Sequence, residues 1–363
     1  MSKSSAILIS SAPQVRDQKI VTYCLHGGSQ TACQTIPNVA WRTRRLWLPT
    51  RLIDVGALES ENPEIRLVDR SNVRFEDQQP LYITLSHRWA AEGVLKLTRS
   101  NIDALKLKIP LQSLSPTFQD AITVTRKLGA RFLWIDSLCI LQDSVDDWRV
   151  ESAEMGKIYS HSLCNIAATA NSDYGGGLFQ TRDPRFITPY KTRITFSGHD
   201  KTYCFFEANL WCSTLSDSIL NRRGWVFQER MLSPRTLHFA NQIFWECRTL
   251  QVCETFPRRL PNELNAFADH KDASLPVTLK DWRDIGEDGG CSPVIEIYSN
   301  CRLTRLEDRL IAIAGIAREV QANLEDDYLA GLWKKELPQG LLWSFSNAGI
   351  VQRPNSYRCK KLP

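Results

Sequence analysis

The segment FLWIDSLCILQDSVDDWRVESAEMGKIYS, which runs from Phe132 to Ser160, contains the alternation of elements that decides the fold class. Its first residues, up to Ile135, are apolar without alternation, which is typical of a strand covered on both faces. A short acidic loop follows, and the residues from Asp147 to Tyr159 repeat apolar side chains at helical spacing. A buried strand that leads directly into an amphipathic helix is the repeating unit of an α/β domain.

The flanking sequence repeats this alternation on both sides. Upstream, PLYITLSHRW at 80–89 has the composition of a strand. The segment from Ser115 to Gly129 predicts an amphipathic helix that Ser115 caps. Downstream, SLCNIAATAN at 162–171 predicts a third strand. Strands that alternate with helices predict a parallel sheet with helices on both faces.

Composition and charge narrow the class of protein. The chain has 363 residues, and its 45 basic and 40 acidic residues leave a formal charge of only +5. Because this excess is small, we expect no nucleic-acid partner, and we interpret the basic run WRTRRLW at 41–47 as a solvated surface segment. The sequence has no apolar run long enough to span a membrane, so we expect no membrane-spanning segment either.

The number and the sequence context of the cysteines indicate the cellular compartment of the protein. Eleven cysteines, an odd number scattered through apolar contexts, are typical of reduced thiols inside the cell, and we predict a cytoplasmic protein. Cys24, His26 and Cys33 lie close together but lack paired C-x-x-C spacing. We therefore predict neither a metal site nor a cofactor. The run YGGGLF at 174–179 lacks the strand and helix that flank a dinucleotide fingerprint, and we expect a flexible loop.

Polar residues follow two of the predicted strands. Ligands of open α/β sheets bind beyond the carboxyl ends of the strands, which selects His87 and Arg88 after the first strand and Asp136 and Ser137 after the second. We expect these two pairs to meet near the start of the 147–159 helix. His87 is either an acid–base group or a hydrogen-bonded structural residue. Asp136 binds a sugar hydroxyl, orients an arginine or caps the following turn. The sequence leaves these alternatives open.

Glu151 lies on the apolar face of the predicted helix, beside Met155 and Ile158. Burying an ionised carboxylate without a partner is costly, so this side chain either forms a salt bridge or lines a cleft at the carboxyl edge of the sheet. The helical wheel alone does not choose between these readings. An open pocket with Asp136 or Arg88 beside Glu151 would favour an enzyme, whereas closure in an ion pair would favour a scaffold.

Three blocks of this sequence, in this order and spacing, resemble those of the fungal heterokaryon incompatibility (HET) domain: YITLSHRWA, the long run from Ser115 to Ala170, and NRRGWVFQERMLSPRTLHFANQIFWEC. Together they cover about Leu81 to Cys247. The first block of the family usually reads Ser-Tyr-Cys-Trp-Gly, and here the glycine is replaced by Ala90. That departure matters if the backbone approaches a ligand closely.

The resemblance implies a cytoplasmic death-triggering effector of non-self recognition between fungal cells. HET domains are in turn distantly similar to TIR domains, which share a flavodoxin-like parallel sheet and of which some cleave NAD at the nicotinamide bond. Their catalytic glutamate lies three residues after a tryptophan, and DWRVE places Trp148 and Glu151 at this spacing. The resemblance thus implies that Glu151 stabilises an oxocarbenium-like ribose and that Trp148 shapes the pocket.

Further site residues belong to the same hypothesis, with NAD as the substrate. Asp136, Arg88 and Ser86 are the other expected substrate-binding residues, and Arg88 is expected to hold a phosphate. The second candidates are His87, Glu229 and Arg230. Glu229 and Arg230, together with Arg235, either form an internal ion network or face the same cleft. The alternative function is a non-enzymatic, oligomerising scaffold that signals death through incompatibility partner proteins or self-association.

The predicted domain organisation has three parts. Residues 1–75 form a leader on the core, in which LPTRLIDVG resembles the segment that commonly precedes HET domains. Residues 76–260 form the HET domain, and 261–363 form a mostly helical C-terminal extension. Proteins of this type often continue with a Trp/Ser-rich stretch where this chain has CKKLP, which indicates a shortened member.

Overall fold

The structure is a computed structural model that describes residues 6–10, 47–56, 64–73, 80–89, 94–170, 176–179, 187–196, 199–207, 210–247, 250–257, 260, 292–324, 326–335 and 337. Cys24, His26, Cys33 and most of the 41–47 run lie outside the described residues.

The strands are numbered in chain order: β1 Ala6–Ser10, β2 Arg51–Asp54, β3 Arg66–Asp69, β4 Tyr82–Ser86, β5 Phe132–Trp134, β6 Asn165–Ala167, β7 Tyr190–Phe196, β8 His199–Glu207, β9 Arg235–Phe239, β10 Ile243–Cys247, β11 Gln251–Cys253, β12 Tyr328–Leu329 and β13 Leu332–Trp333. The α-helices are α1 Ile102–Leu107, α2 Pro116–Lys127, α3 Asp136–Cys139, α4 Val145–Ser160, α5 Gly224–Leu232, α6 Ser292–Ser299 and α7 Ala314–Leu324.

Eight of these strands form the central sheet, in the order β11-β10-β9-β6-β4-β5-β2-β3. The four strands at its centre, β9, β6, β4 and β5, are parallel, whereas β2, β3, β10 and β11 pair antiparallel. The prediction of a parallel sheet core is therefore confirmed for these four strands, and the antiparallel strands on both flanks were not predicted. Strands β9 to β11 follow one another through short connections, which permit only antiparallel pairing.

The central strands are buried along their whole length. Every residue of β4, β5 and β6 is buried, which requires cover on both faces of the sheet. The predicted third strand is shorter than the sequence indicated, since only Asn165 to Ala167 pair with neighbours. Most residues of these strands are apolar, and the buried polar side chains of Thr84, Ser86 and Asn165 hydrogen-bond to one another.

Two helices that connect the central strands along the chain, α2 and α4, are capped at their N-termini by serine side chains. Ser115 accepts a hydrogen bond from the Phe118 amide at 3.3 Å, so the predicted cap of α2 is confirmed. Gly129 follows this helix with a φ of +76°, a left-handed conformation that favours glycine. Ser144 caps α4 in the same way, which extends that helix two residues upstream of the predicted start at Asp147.

The C-terminal helix α7 packs closely on α4 and α5. A Cβ atom added to Gly156 would lie 2.8 Å from the Cα atom of Gly315, so the two helix backbones touch at these glycines. The Gly315 amide donates to Gln228 Oε1 at 2.7 Å, and Arg318 donates to the Ala153 carbonyl at 2.7 Å. These contacts fix the C-terminal helix against the elements that carry the candidate site.

Two smaller sheets complete the described part. Strands β1, β8 and β7 form an antiparallel three-stranded sheet, and β12 pairs with β13. Within the ranges given above, no helix has the length and apolar character needed to cross a membrane.

Candidate functional site

The strand order of the central sheet reverses at β4. Strand β5 lies on one side of β4, and the next parallel strand along the chain, β6, lies on the other. In open α/β sheets, ligands bind outside the carboxyl ends of the strands at such a reversal. The residues that end β4 and follow β5 are therefore the first candidates for a site.

A buried hydrogen-bonded cluster joins α5 to the carboxyl end of β4. The Ser86 hydroxyl donates to Glu229 Oε2 and accepts from Asn165 Nδ2 at 2.9 Å. The Tyr159 hydroxyl also hydrogen-bonds to Glu229. None of these four side chains is more than 5% exposed. The structure thus brings Ser86 and Glu229 together in a buried cluster and adds Asn165 and Tyr159.

The pKa of the Glu229 carboxyl group is strongly raised. Burial raises the pKa of Glu229 from 4.5 to about 7, and the nearby Asp136 carboxylate adds to the rise. The hydrogen bonds from Ser86 and Tyr159 and the charge of Arg223 oppose it without cancelling it. A buried carboxyl group that titrates near neutral pH is typical of functional sites, although the same cluster also ties α5 to two central strands.

His87 and Asp136 meet beside this cluster, so the expectation that the two strand ends converge is confirmed. Asp136 Oδ1 lies 3.7 Å from His87 Nδ1, and Asp136 Oδ2 accepts from the Trp89 indole at 2.7 Å. Burial lowers the pKa of His87, and Arg223 lowers it further, while Asp136 and the Leu85 carbonyl raise it. The net effect is a neutral imidazole at physiological pH.

Glu151 lies in a closed environment. Its side chain is 3% exposed and lies 3.6 Å from Arg51 Nη2. Arg51 is itself held by Asp147 at 2.5 Å and by the Cys139 carbonyl at 2.7 Å. Burial raises the pKa of Glu151, while hydrogen bonding to Thr50 and the charge of Arg51 oppose the rise. In this conformation the carboxylate faces the start of β2 instead of an open pocket.

Trp148 and Arg88 occupy different surroundings. The Trp148 ring packs edge-on against Trp225 of α5, with ring centroids 6.4 Å apart, and Trp225 hydrogen-bonds to Asp308. Arg88 is half-buried next to His87. Trp148 therefore contacts α5, one turn away from the Glu151 ion pair, and Trp225 links α5 to the C-terminal part of the chain.

Arg230 belongs to a second network. Its guanidinium forms two hydrogen bonds to Glu246, at 2.6 and 2.7 Å, and His238 Nε2 lies 3.1 Å from the same carboxylate. Burial alone would raise the pKa of Glu246, but Arg230 and His238 outweigh it and hold that pKa well below its usual range. Arg230 therefore belongs to an internal ion network. Glu229 instead belongs to the hydrogen-bonded cluster at the end of β4.

Several of these residues were missed by the sequence reasoning. Asn165 had a signal, because it is an amide in an otherwise apolar strand and buried polar groups require partners. Arg51, the partner of Glu151, lies in LPTRLIDVG without any local pattern that links it to α4. In the part of the chain that the structure describes, no group of three His, Cys, Asp or Glu side chains is arranged to hold a metal ion.

Residues 82–229 match the model of the family described as heterokaryon incompatibility protein (HET). This segment of the chain is similar to the HET family. The matched segment begins with β4 and ends at Glu229, so it contains both the Ser86–Glu229 cluster and the Glu151 helix. No curated protein and no solved structure matches the chain.

Proposed function

We propose that this chain is a heterokaryon incompatibility effector that triggers cell death through protein contacts, without cleavage of NAD by Glu151. The HET domain supports the incompatibility role. The observation that carries the choice of mechanism is the closed Arg51–Glu151 ion pair.

The Arg51–Glu151 ion pair keeps a substrate from reaching the Glu151 carboxylate. A carboxylate that stabilises an oxocarbenium-like ribose must face the substrate. Here the side chains of Glu151 and Arg51 are only 3% and 7% exposed. Separating a buried pair by removing one partner costs about 3–5 kcal/mol, because the other charge stays buried. Glu151 therefore joins β2 to α4 in this conformation and presents no oxygen to a ligand.

NAD cleavage is the second candidate, and specific features favour it. Trp148 and Glu151 keep the three-residue spacing on one helix, and the strand order β5-β4-β6-β9 has the reversal expected of a flavodoxin-like, TIR-like sheet. Under this candidate Arg51 moves away, Glu151 becomes catalytic, and Trp148, Asp136, Arg88 and Ser86 bind NAD.

The deciding experiment measures cell death and the cellular NAD concentration in the same culture. The full chain, the Glu151→Gln variant and a Glu154→Gln control are expressed in a fungal host. Glu154 lies on the same helix but is half-exposed and pairs with Lys157, so it matches the chemistry of the change without touching Arg51. We expect all three to cause death with cellular NAD unchanged.

The proposal would be overturned in favour of catalysis if NAD falls before the cells die in the full chain and in Glu154→Gln, but does not fall in Glu151→Gln. Folding of each variant is checked by circular dichroism. Should Glu151→Gln fail to fold, Trp148→Phe tests the pocket in which NAD would bind, and a phenyl ring preserves an edge contact with Trp225.

A further inference from the structure

We propose that β7 is the docking edge for an extended, acidic segment of a partner protein, which adds to the β1-β8-β7 sheet as a further strand. This inference names a surface for the protein contacts of the function proposed above, and it rests on that function. The three strands of this sheet contain none of the residues of the NAD hypothesis, so the two surfaces are tested separately.

The first observation is an open row of backbone groups along β7. This strand spans seven residues and lies at the end of the strand order, with β8 on one side only. Alternate residues of a strand direct their N–H and C=O groups away from the paired neighbour, and within the described residues no backbone hydrogen bond satisfies those of β7. Such a row is a template for another strand, and many proteins recognise peptides by this kind of strand addition.

The second observation is the exposure of the β7 side chains on both faces of the sheet. Tyr190 is 70% exposed and Ile194 is 39% exposed, although the Tyr190 ring lies 6.1 Å from the Phe205 ring on the same face. Lys191 and Arg193 alternate with them along the strand and are exposed on the opposite face. An added strand would therefore cover apolar side chains on one face and meet cations on the other.

The third observation is the sign of the charge on the second face. Arg193 lies 3.9 Å from Asp200, and Asp200 also accepts from the Thr195 hydroxyl at 2.6 Å. In the part of the chain that the structure describes, Lys191 forms no ion pair. Two cations and one carboxylate leave this face positive. A strand that places carboxylates opposite Lys191 and Arg193 is favoured, because opposite charges on neighbouring strands stabilise a sheet.

A second copy of this chain is a poorer occupant of the edge. Two β7 strands paired antiparallel about Thr192 would place Lys191 of each copy opposite Arg193 of the other, and pairing about Arg193 would place two guanidinium groups opposite each other. Like charges directly opposite destabilise a sheet. β1, at the other end of the sheet, has the sequence AILIS and offers no carboxylate. The chemistry favours a different protein, whose strand alternates acidic and apolar residues.

The test uses the purified full chain and a fluorescein-labelled peptide as long as β7 in which Glu and Val alternate, with binding followed by fluorescence polarisation. We expect saturable binding that weakens as the salt concentration rises. The Lys191→Glu/Arg193→Glu double variant should bind this peptide roughly tenfold more weakly and should bind the corresponding Lys–Val peptide instead. Arg149→Glu is the control, because it reverses an exposed charge on α4, and it should bind the acidic peptide as the wild type does.

A methylated peptide separates strand addition from simple charge attraction. The same sequence with every amide nitrogen methylated keeps its carboxylates but cannot donate hydrogen bonds to β7, and we expect it not to bind. Equal binding of the methylated peptide, or no binding of the unmodified peptide, would overturn the proposal. A dimer of the wild-type chain that the double variant dissociates would overturn it in favour of a second copy. Circular dichroism confirms that each variant folds.

Expression of the double variant in the fungal host connects the edge to the proposed function. We expect this variant to lose the death phenotype, because its partner no longer docks, while Arg149→Glu still causes death. A double variant that kills as the wild type does would show that β7 is not the contact that triggers death. The effector function would survive that result, since it is judged by the comparison of Glu151→Gln with Glu154→Gln.

Discussion

Replacing Glu229 by glutamine should change how the stability of the protein depends on pH. The folded protein holds the pKa of Glu229 at about 7, compared with an ordinary value of 4.5. Between these two pH values the folded state binds more protons than the unfolded state, so stability falls as pH rises. At roughly 1.4 kcal/mol for each pH unit, the full loss is about 3 kcal/mol. Glu229→Gln cannot lose a proton, and its amide oxygen still accepts from Ser86.

The assay is urea unfolding at a series of pH values between 5 and 8. Within this window we expect Glu229→Gln to gain about 2.5 kcal/mol relative to the wild type, because part of the loss has already occurred at the acidic end. His87 and His238 act in the opposite direction, since burial lowers the pKa of each and their stabilising effect is lost as pH falls. Only the difference between the two proteins therefore isolates Glu229.

The Glu154→Gln variant is the control, because it makes the same chemical change at a half-exposed position. If the unfolding free energies of wild type and Glu229→Gln run parallel across the series, Glu229 is ionised in the folded protein at neutral pH. The reading of the Ser86–Glu229 cluster as a near-neutral proton site would then be refuted.

Three further variants test the fold. Arg51→Met leaves the buried Glu151 carboxylate without its cation and should lower the free energy of unfolding by about 3–5 kcal/mol in urea titrations. Gly315→Ala places a methyl group 2.7 Å from the Gly156 Cα atom and should cost roughly 1–3 kcal/mol, measured in the same way. Ser115→Ala removes the cap of α2 and should cost about 1 kcal/mol, seen as a lower thermal midpoint, while an unchanged midpoint would show that the cap contributes nothing.

The elements that the sequence predicted are those with local signals. The Ser115 cap and Gly129 fixed the bounds of α2 because both act within one turn of the helix. The meeting of His87 with Asp136 was predictable, since neighbouring parallel strands end at one edge of the sheet. These inferences required no knowledge of distant contacts.

The parts that escaped the sequence depend on distant partners. A helical wheel shows that Glu151 faces inward, but its partner Arg51 comes from a strand far earlier in the chain. Likewise, Glu229 and Arg230 are adjacent in sequence yet diverge by about 100° around α5, so each joins a different network. The sequence analysis treated the two residues together and could not name Ser86 or Glu246 as their separate partners.

The inclusion of β2 and β9 in the central sheet has a practical consequence for anyone who isolates the segment that matches the family. The family match starts at residue 82 and stops at residue 229, yet β5 pairs with β2 and β6 pairs with β9, and both partners lie outside that interval. A recombinant fragment cut at those limits would leave β5 and β6 as unpaired edge strands and is expected to aggregate. Biochemical work on this protein should therefore begin with boundaries drawn from strand pairing.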